Sequence, residues 1–422
     1  METFTSSTVR VGSRSFARLT PGGFMHHVAL ARPVVLSTLA LSLAACGQQT
    51  ASPAQSAGPA LLHAQALPYL DWTKSGLGSS YIHAASDVAG NVIASGASLI
   101  AKHDKDGQLL WSKAFTNQYG ASFSRLTTDS ASNVYAVGAY GAQDICCPTP
   151  DNISFLVKYD PNGTLLWIKK ADSSNPYLYL DAAVDNQRNV YTVGYADQGM
   201  RIAKYSPAGQ LVWLRLLSTY GEGSFFPSGC SLPKIAVTGG GNVFMACTEG
   251  TNRQISLTKL DVNGWRVFTK TFGTTGGAVN TVVRLVTSAD DSVHVLRETS
   301  LGAGNVQTTF GLTKYDAVGN WKWYQQLAGN DTRVQDVAVS PSGSVLVTGY
   351  TYVPFGSNVN GSNIGDVDYF LGQYDINGKK IIVKQYGAAG KNSFGNGIAL
   401  SPLGKVFVVG RQDRAIISRF TP

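Results

Sequence analysis

The sequence predicts an all-β protein built as a closed ring of seven four-stranded antiparallel blades. Three observations predict this fold class. Charged residues make up only 14% of the 422 residues and 46 residues are glycine, a composition that suits short strands and tight turns better than long helices. One sequence pattern recurs seven times along the chain. The two ends of the chain carry incomplete copies of that pattern, and each supplies what the other lacks.

The composition also excludes several classes of protein. A coiled coil, a helical bundle and a polytopic membrane protein do not fit it, whereas a hydrophobic content of 44% is enough to bury a large core. The formal net charge is +8, but residues 1–46 hold four Arg and one Glu, so the rest of the chain carries +5. Because Lys and Arg form no long run, we expect a solvated surface and no nucleic-acid partner.

The first repeated element is a tight turn followed by a valine, which we call the repeat valine. The spacing between successive repeat valines is 42 to 61 residues. They are Val92, Val134, Val190, Val243, Val293, Val345 and Val406. A small polar residue stands five positions before each of them: Asp87, Asp129, Asp185, Thr238, Ser288, Ser340 and Ser401. Four positions after the valine stand Gly96, Gly138, Gly194, Cys247, Arg297, Gly349 and Gly410. The apolar runs on both sides of this turn predict a β-hairpin.

A second hairpin follows in each repeat. Its pattern is Lys-aromatic-Asp, a turn that ends in Gly, and Trp four residues after the Gly. Clear copies occupy 102–111, 158–167, 204–213 and 314–323, with weaker copies at 259–268 and 373–382. The Asp can accept hydrogen bonds from turn amides and the Gly takes a positive φ. Two hairpins in about 50 residues correspond to one blade of a β-propeller.

The seventh repeat is split between the ends of the chain. After Gly410 the sequence has one more strand, ending near Phe420, and lacks a fourth. Leu70-Asp71-Trp72-Thr73-Lys74 matches the fourth strand of the first repeat, Leu110-Trp111-Ser112-Lys113. We therefore expect Trp72 to lie beside the strand that ends near Phe420. This pairing joins the first blade to the last and protects both sheet edges.

These elements resemble the bacterial seven-bladed β-propeller repeat (SBBP-type). The matching residues are the Asn-Val turn, the strand Val134-Tyr135-Ala136-Val137-Gly138, and Lys-Tyr-Asp-x-x-Gly-x-x-x-Trp at 158–167. The resemblance covers about 67–422. It implies the propeller fold but no particular activity, because propellers of this type are mostly surface or secreted proteins of unassigned function.

The N-terminal region predicts export. An apolar run, 34–43, follows Arg32 and ends in Leu43-Ala44-Ala45-Cys46, as in a secretory signal. The tetrapeptide resembles the lipobox of bacterial lipoproteins, which implies diacylglyceryl transfer to Cys46 and cleavage before it. We therefore expect a signal peptide over 1–46, with Met25 as a candidate true start, a flexible tether over 47–66 and the propeller over 67–422. The protein is then anchored by lipid in the bacterial cell envelope, on the outer membrane or cell surface.

Loop lengths predict which face of the propeller binds. Both turns inside the hairpins are constant, whereas the two other classes of connection vary in length and emerge on the opposite face. The long variable loops lie near 139–153, 218–231, 298–310 and 350–366, and variable loops on a rigid scaffold commonly carry binding residues. Drift of surface loops and packing over the propeller mouth are the alternatives. The candidate binding-face residues are Tyr220, Phe225, Tyr352, Phe355, Asn358 and Asp366.

The remaining cysteines suggest specific chemistry. Cys230 precedes a strand and Cys247 ends its hairpin partner, so we expect a disulfide between them in an oxidising compartment. Cys146 and Cys147 are adjacent in a variable loop, where a strained vicinal disulfide, free thiols or other pairings are open. Some pyrroloquinoline-quinone dehydrogenases hold a vicinal disulfide, and they share an Asp, Gly and Trp repeat with this chain. The spacing here is one residue shorter, and Lys replaces the Ala of that family.

The sequence favours a binding or scaffold module over an enzyme. The six His are scattered and show no zinc-ligand spacing. Neither a Gly-x-Ser-x-Gly elbow nor a phosphate-binding loop is present. We expect a monomer without cofactor, metal or catalysis that binds a protein or glycan partner through the variable-loop face. A quinone-dependent dehydrogenase and an envelope-assembly scaffold are the alternatives.

Overall fold

The strands of this protein assemble into seven sheets. The computed structural model describes residues 69–96, 98–115, 121–140, 154–171, 177–196, 199–217, 230–250, 253–301, 307–354 and 364–421. These residues form 28 β-strands and no α-helix. Each of the seven sheets has four antiparallel strands, which confirms the predicted all-β, seven-bladed propeller. Within the same ranges no helix is long and apolar enough to cross a membrane.

Blades are numbered by their innermost strands in chain order. Blade 1 consists of β2 (His83–Ser86), β3 (Val92–Gly96), β4 (Leu99–His103) and β5 (Leu109–Ala114). Blade 2 consists of β6 (Ala121–Thr128), β7 (Val134–Tyr140), β8 (Ser154–Tyr159) and β9 (Leu165–Lys170). Blade 3 consists of β10 (Tyr177–Val184), β11 (Val190–Ala196), β12 (Gly199–Tyr205) and β13 (Leu211–Leu217). Blade 4 consists of β14 (Ser231–Val237), β15 (Val243–Thr248), β16 (Ile255–Leu260) and β17 (Arg266–Phe272).

The last three blades follow the same order. Blade 5 consists of β18 (Val279–Thr287), β19 (Val293–Leu301), β20 (Gln307–Tyr315) and β21 (Trp321–Ala328). Blade 6 consists of β22 (Thr332–Val339), β23 (Val345–Thr351), β24 (Asp368–Tyr374) and β25 (Lys380–Tyr386). Blade 7 consists of β26 (Ser393–Leu400), β27 (Val406–Gln412), β28 (Arg414–Thr421) and, at its outer edge, β1 (Tyr69–Ser75).

The first strand of each blade is the innermost. Residues from all seven first strands line one space at the centre of the ring, including Ala84, Ala182 and Ile398. First strands of successive blades also contact one another. Apolar side chains fill the spaces between adjacent sheets; one such cluster joins Ile93 of blade 1 to Phe123 of blade 2. The hydrophobic core thus lies between adjacent blades, and the first strands line the central axis.

The ring closes between the two ends of the chain. Strand β1 pairs antiparallel with β28, with Trp72 opposite Arg419, as the sequence predicts. The Asp71 carboxylate accepts hydrogen bonds from Arg419 Nε at 2.8 Å and from the Thr421 hydroxyl at 2.9 Å. The Thr73 and Ser418 hydroxyls lie 2.8 Å apart. The closing strand is therefore held by side chains as well as by the backbone ladder.

The repeated Lys and Trp connect each blade to the next. Lys102 lies 2.8 Å from the Asp87 carboxylate of its own blade and donates to the Pro161 carbonyl of blade 2 at 3.0 Å. Trp111 Nε1 donates to the same carbonyl at 3.0 Å. Lys158 and Trp167 repeat both contacts on blade 3. The repeated spacing of the second hairpin thus serves assembly of the ring.

Candidate functional site

A β-bulge interrupts the innermost strands at one repeated position. In blade 2 the register shifts between Phe123 and Arg125, directly opposite Gly138. A Cβ built on Gly138 would lie 2.2 Å from the Ser122 carbonyl oxygen, so no side chain fits there. The bulge adds a residue to one strand and redirects the side chains that follow it. The glycine four residues after the repeat valine therefore leaves room for a neighbouring carbonyl oxygen in the five repeats that have it, whereas blades 4 and 5 carry Cys247 and Arg297 at this position.

In blades 2 to 7 one residue directly follows the shift of register, and in blade 1 the equivalent residue is the first of β2. This residue stands nine positions before the repeat valine in every blade. We call these seven residues the axial ring. They are His83, Arg125, Asp181, Lys234, Arg284, Asp336 and Gly397. The six with side chains line one cavity on the propeller axis. At Gly397 a Cβ would lie 2.9 Å from the Ala84 nitrogen and from the Ile82 carbonyl oxygen, which explains the glycine at the seventh place.

Ion pairs connect the axial ring across blades. Arg284 Nε lies 3.3 Å from Asp336 Oδ1 of the next blade, and Arg284 Nη1 lies 3.5 Å from Asp181 Oδ1 of blade 3. Arg125 approaches the same Asp181 oxygen from the other side at 3.8 Å. Both carboxylates are almost fully buried, whereas 12% of each arginine side chain is exposed. The arginines therefore compensate the buried carboxylates and still reach the cavity.

Backbone amides also donate hydrogen bonds to both carboxylates. Asp181 accepts hydrogen bonds from Ala182 N at 2.9 Å and from Ile235 N of blade 4 at 3.0 Å. Asp336 accepts from Val337 N at 3.0 Å and from Ile398 N of blade 7 at 3.1 Å. Burial raises the pKa of both carboxyl groups, and the nearby Arg125 opposes this shift. Each carboxylate thus joins its blade to the next at the axis.

His83 is the one ionisable residue of the axial ring that is uncharged. Its Nε2 lies 3.1 Å from the Phe123 carbonyl oxygen of blade 2. Burial is the main cause that lowers the pKa of His83 to about 3, and the positive charge of Arg125 contributes to this shift. The imidazole is therefore uncharged at neutral pH, and the charged residues of the axial ring are three cations and two anions.

The axial cavity opens on the variable-loop face. It has a volume of about 500 Å³, within the range of small-molecule sites. Tyr350 and Arg411 line it from the ends of second strands, where the variable loops begin. Ser80 and Phe394 line it near the starts of innermost strands, where the other variable connections end. The constant hairpin turns lie at the opposite ends of these strands, so the cavity mouth and the variable loops share one face.

Two of the predicted binding-face residues lie in the described part of the chain. Tyr352 follows β23, is 53% exposed and makes an edge contact with Tyr350, with ring centroids 5.9 Å apart. Asp366 is exposed in the same loop, before β24. Tyr352 therefore reaches the rim of the axial cavity through Tyr350. The other candidates lie outside the described residues: Tyr220, Phe225, Phe355 and Asn358.

Two of the five cysteines lie in the described part of the chain and three lie outside it. Cys230 and Cys247 form a disulfide with Cα atoms 5.6 Å apart, which links the entrance of β14 to β15 in blade 4. Cys247 occupies the position that is glycine in five of the seven repeats. The lipidation candidate Cys46 and the adjacent pair Cys146 and Cys147 lie outside the described residues. Among the described residues, no group of three or more His, Cys, Asp or Glu is placed to hold a metal ion.

The sequence predictions above do not include the axial ring, although a fixed spacing in the sequence points to it. Counting back nine residues from each repeat valine retrieves all seven members, and ionisable residues occupy six of those places. An alternating strand pattern alone would not assign them to the axis, because the bulge changes the side on which the following residues lie.

Sequence comparisons show short, partial similarity. No protein-family model matches the chain. A segment of 64 residues is 38% identical to protein hir-1 of Neurospora crassa and covers 15% of this chain and 6% of that protein. A WD repeat-containing protein of Acanthamoeba polyphaga mimivirus is 25% identical over 167 residues, which cover 28% of this chain and 12% of that protein. The similarity thus spans only a small part of these relatives.

Solved structures show the same fold at low sequence identity. Virginiamycin B lyase from Staphylococcus aureus has a TM-score of 0.52 and 14% identity, covering 83% of this chain and 100% of that chain. A chain of the mitotic checkpoint complex has a TM-score of 0.51 and 13% identity, covering 92% and 99%. Hydrazine synthase of Kuenenia stuttgartiensis has a TM-score of 0.54 and 11% identity, covering 79% and 94%. These proteins differ in function, so their likeness supports the propeller fold alone.

Proposed function

We propose that this protein is a non-catalytic binding module of the bacterial cell envelope, which takes a protein or glycan partner on its variable-loop face. One observation carries the proposal: the mouth of the axial cavity and the variable connections lie on the same face. A rigid ring that presents a polar cavity inside variable loops is a common arrangement for binding sites. The hairpin turns on the opposite face are occupied by contacts between blades, as Lys102 and Trp111 illustrate.

The charges of the axial ring favour binding over acid–base catalysis. His83 has its pKa near 3 and is a poor proton acceptor at neutral pH, where a general base is most effective with a pKa close to the working pH. Asp181 and Asp336 each accept two backbone hydrogen bonds and pair with arginine. These side chains are arranged to hold charge at fixed positions.

A pair of matched variants tests the binding face. Tyr352→Glu places a charge on the variable-loop face, and Val318→Glu places one in a constant turn of blade 5, where Val318 is 69% exposed. The probes are a glycan array and individually purified envelope proteins. We expect Tyr352→Glu to weaken binding at least tenfold and Val318→Glu to leave it unchanged. Equal effects of both substitutions, or an effect of Val318→Glu alone, would place the binding face elsewhere.

The proposed anchor is tested separately. Cys46→Ala should abolish labelling with a radioactive or clickable fatty acid and release the protein from the membrane fraction. Labelling and retention that persist in this variant would contradict lipidation at Cys46. Incubation of the purified protein with pyrroloquinoline quinone and Ca²⁺ addresses the competing function, because a bound-quinone spectrum would favour a dehydrogenase over a binding module.

A further inference from the structure

The axial cavity carries more positive than negative charge. Asp181 and Asp336 are the two carboxylates of the axial ring, and each already pairs with arginine and with backbone amides. Arg125 Nε and Arg284 Nε are buried and have no hydrogen-bond acceptor in the part of the chain that the structure describes, although each lies within 4 Å of a carboxylate oxygen. Three cations therefore face two anions, and the acceptors present do not satisfy all of the donors.

Lys234 holds the unbalanced charge. It lines the cavity and is half-buried. Among the described residues it has no hydrogen bond and no carboxylate within 4.0 Å, and the Asp181 carboxylate of the preceding blade pairs with Arg284 of the following one. Asp181 and Asp336 act on Lys234 only as charges at longer range, so the ammonium group is partly removed from water without a counter-charge in contact with it, which is costly. An anion bound in the cavity would supply that counter-charge.

Other groups that line the cavity suit a hydroxylated ligand. Ser124, Gln335 and Asn396 add neutral polar groups to its wall. Asn396 uses its Nδ2 to donate to the Tyr81 carbonyl at 2.8 Å, which leaves the amide oxygen as an acceptor. At the mouth, the guanidinium of Arg411 lies over the ring of Phe394, 4.7 Å from the ring centroid. Arg411 is exposed and adds a second unbalanced positive charge.

Backbone groups near the axial ring are less suited to a peptide. An acidic peptide would present its main chain as well as its carboxylates, and would need backbone partners. The amides of Ala182, Ile235, Val337 and Ile398 already donate to Asp181 and Asp336. Side-chain amides and hydroxyls remain the main neutral partners, and these match the hydroxyl groups of a sugar.

We propose that the axial cavity binds an acidic sugar, a uronic acid unit of a glycan, with its carboxylate against Lys234 and its hydroxyls against the polar wall. The inference rests on the proposed binding function and specifies its ligand class. A volume of about 500 Å³ is within the range for a ligand of one or two sugar units. Arg411 at the mouth would meet the acidic group of a neighbouring unit.

Calorimetric titration with defined probes tests this inference. The probes are digalacturonic acid, a neutral galactose disaccharide and a blocked tri-aspartate peptide. We expect the wild-type protein to bind digalacturonic acid at least tenfold more tightly than the neutral disaccharide or the peptide. The affinity for digalacturonic acid should fall as salt rises, because the pairing is ionic. Equal binding of the neutral sugar, preference for the peptide, or no binding of digalacturonic acid would overturn the inference.

Two variants assign the effect to Lys234. Lys234→Met should weaken digalacturonic acid binding at least tenfold, and Lys234→Arg should retain most of it. Lys270→Met is the matched control, because Lys270 is exposed on β17 of blade 4 and should have no effect. Thermal melting monitors folding of each variant, so that a loss of binding is separated from a loss of structure.

The outcomes also separate this inference from the proposed function. An unchanged affinity in Lys234→Met would overturn the acidic-sugar site. If Lys234→Met binds digalacturonic acid normally but Tyr352→Glu still loses partner binding, the protein remains a binding module and its ligand belongs to another class. If Tyr352→Glu has no effect on any partner and digalacturonic acid still binds through Lys234, the cavity stands and the wider binding face is wrong.

Discussion

The guanidinium of Arg284 on blade 5 lies 3.5 Å from the carboxylate of Asp181 on blade 3. This contact passes over blade 4 and leaves Lys234, the blade 4 member of the axial ring, without a carboxylate partner among the described residues. Arg284 also lies 3.3 Å from Asp336. One side chain therefore compensates two buried carboxylates and determines which cation is available to a ligand.

We first predict that Arg284→Met destabilises the protein by about 3 kcal/mol, because removal of one partner leaves buried carboxylates with less compensation. Chemical denaturation gives the free energy of unfolding. Arg414→Met is the control, since Arg414 is exposed at the start of β28, and should change the stability by less than about 0.5 kcal/mol. Similar small effects of both substitutions would show that the carboxylates do not depend on Arg284.

The second prediction concerns two equivalent tryptophans. Trp111 Nε1 donates to the Pro161 carbonyl at 3.0 Å, whereas Trp72 Nε1 is buried and finds no acceptor among the residues that the structure describes. In the closing blade Arg419 donates instead to the corresponding carbonyl, that of Lys105, at 2.7 Å. Trp111→Phe should therefore cost about 1 kcal/mol more than Trp72→Phe, because only the first removes a hydrogen bond.

Unfolding free energies of the two tryptophan variants give this comparison directly. Trp323→Phe is a further control, because Trp323 Nε1 donates to Ile376 at 3.0 Å, and it should behave like Trp111→Phe. A larger loss for Trp72→Phe than for both others would contradict the assignment of an unpaired indole at the ring closure.

The third prediction uses a departure from the repeat in blade 5. Tyr135 and Tyr191 donate to Asp129 and Asp185 at 3.0 and 2.9 Å. His294 occupies the corresponding tyrosine position, and within the described ranges neither of its ring nitrogens has a hydrogen-bond partner.

Ser288 occupies the corresponding acidic position in that blade. The triple substitution Ser288→Asp, Asp290→Ala and His294→Tyr should therefore add about 1 kcal/mol of stability. Asp290 is removed because Ser288 contacts its carboxylate at 2.6 Å, which would repel the new Asp. Thermal and chemical unfolding measure the gain. The reverse exchange in blade 2, Asp129→Ser with Tyr135→His, should lower stability; a gain there would count against this explanation.

The fourth prediction is a pH dependence of stability. The pKa of His83 is about 3 in the folded protein and about 6.5 in an unfolded chain. Between these values the unfolded state binds more protons, so stability rises with pH in this window and is lost as pH falls towards 3. His83→Asn should reduce the slope of unfolding free energy against pH between 4 and 6. An unchanged slope would show that His83 is not the group responsible.

The fifth prediction concerns the disulfide of blade 4. Cys230 and Cys247 are 17 residues apart, and a cross-link over such a loop stabilises a protein by about 3 kcal/mol in the chain-entropy model. The paired substitution of both cysteines by Ala should lower the unfolding free energy by about this amount. Reductant should destabilise the wild type to a similar degree and leave the paired variant unaffected. A wild type insensitive to reductant would argue that the bond is absent in solution.

The number of blades and the way the ring closes could both be predicted from the sequence alone. Both follow from local chemistry, since turns need Gly, Asn and Asp at fixed positions and strands need alternating apolar residues. The split seventh repeat followed as well, because Trp72 and Trp111 stand in matching segments. The Lys and Trp of the second hairpin repeat because each blade makes the same contact with the next.

The arrangement at the axis depends on the closed ring and could not be predicted from local sequence patterns. Arg125, Asp181 and Arg284 are separated by more than 50 residues along the chain, and closure of the ring brings them within ion-pair distance. The bulge opposite Gly138 and its equivalents sets the direction of these side chains, and this depends on pairing with a second strand. The charge left on Lys234 is a property of the closed ring, because it arises from the contact that Arg284 makes across it.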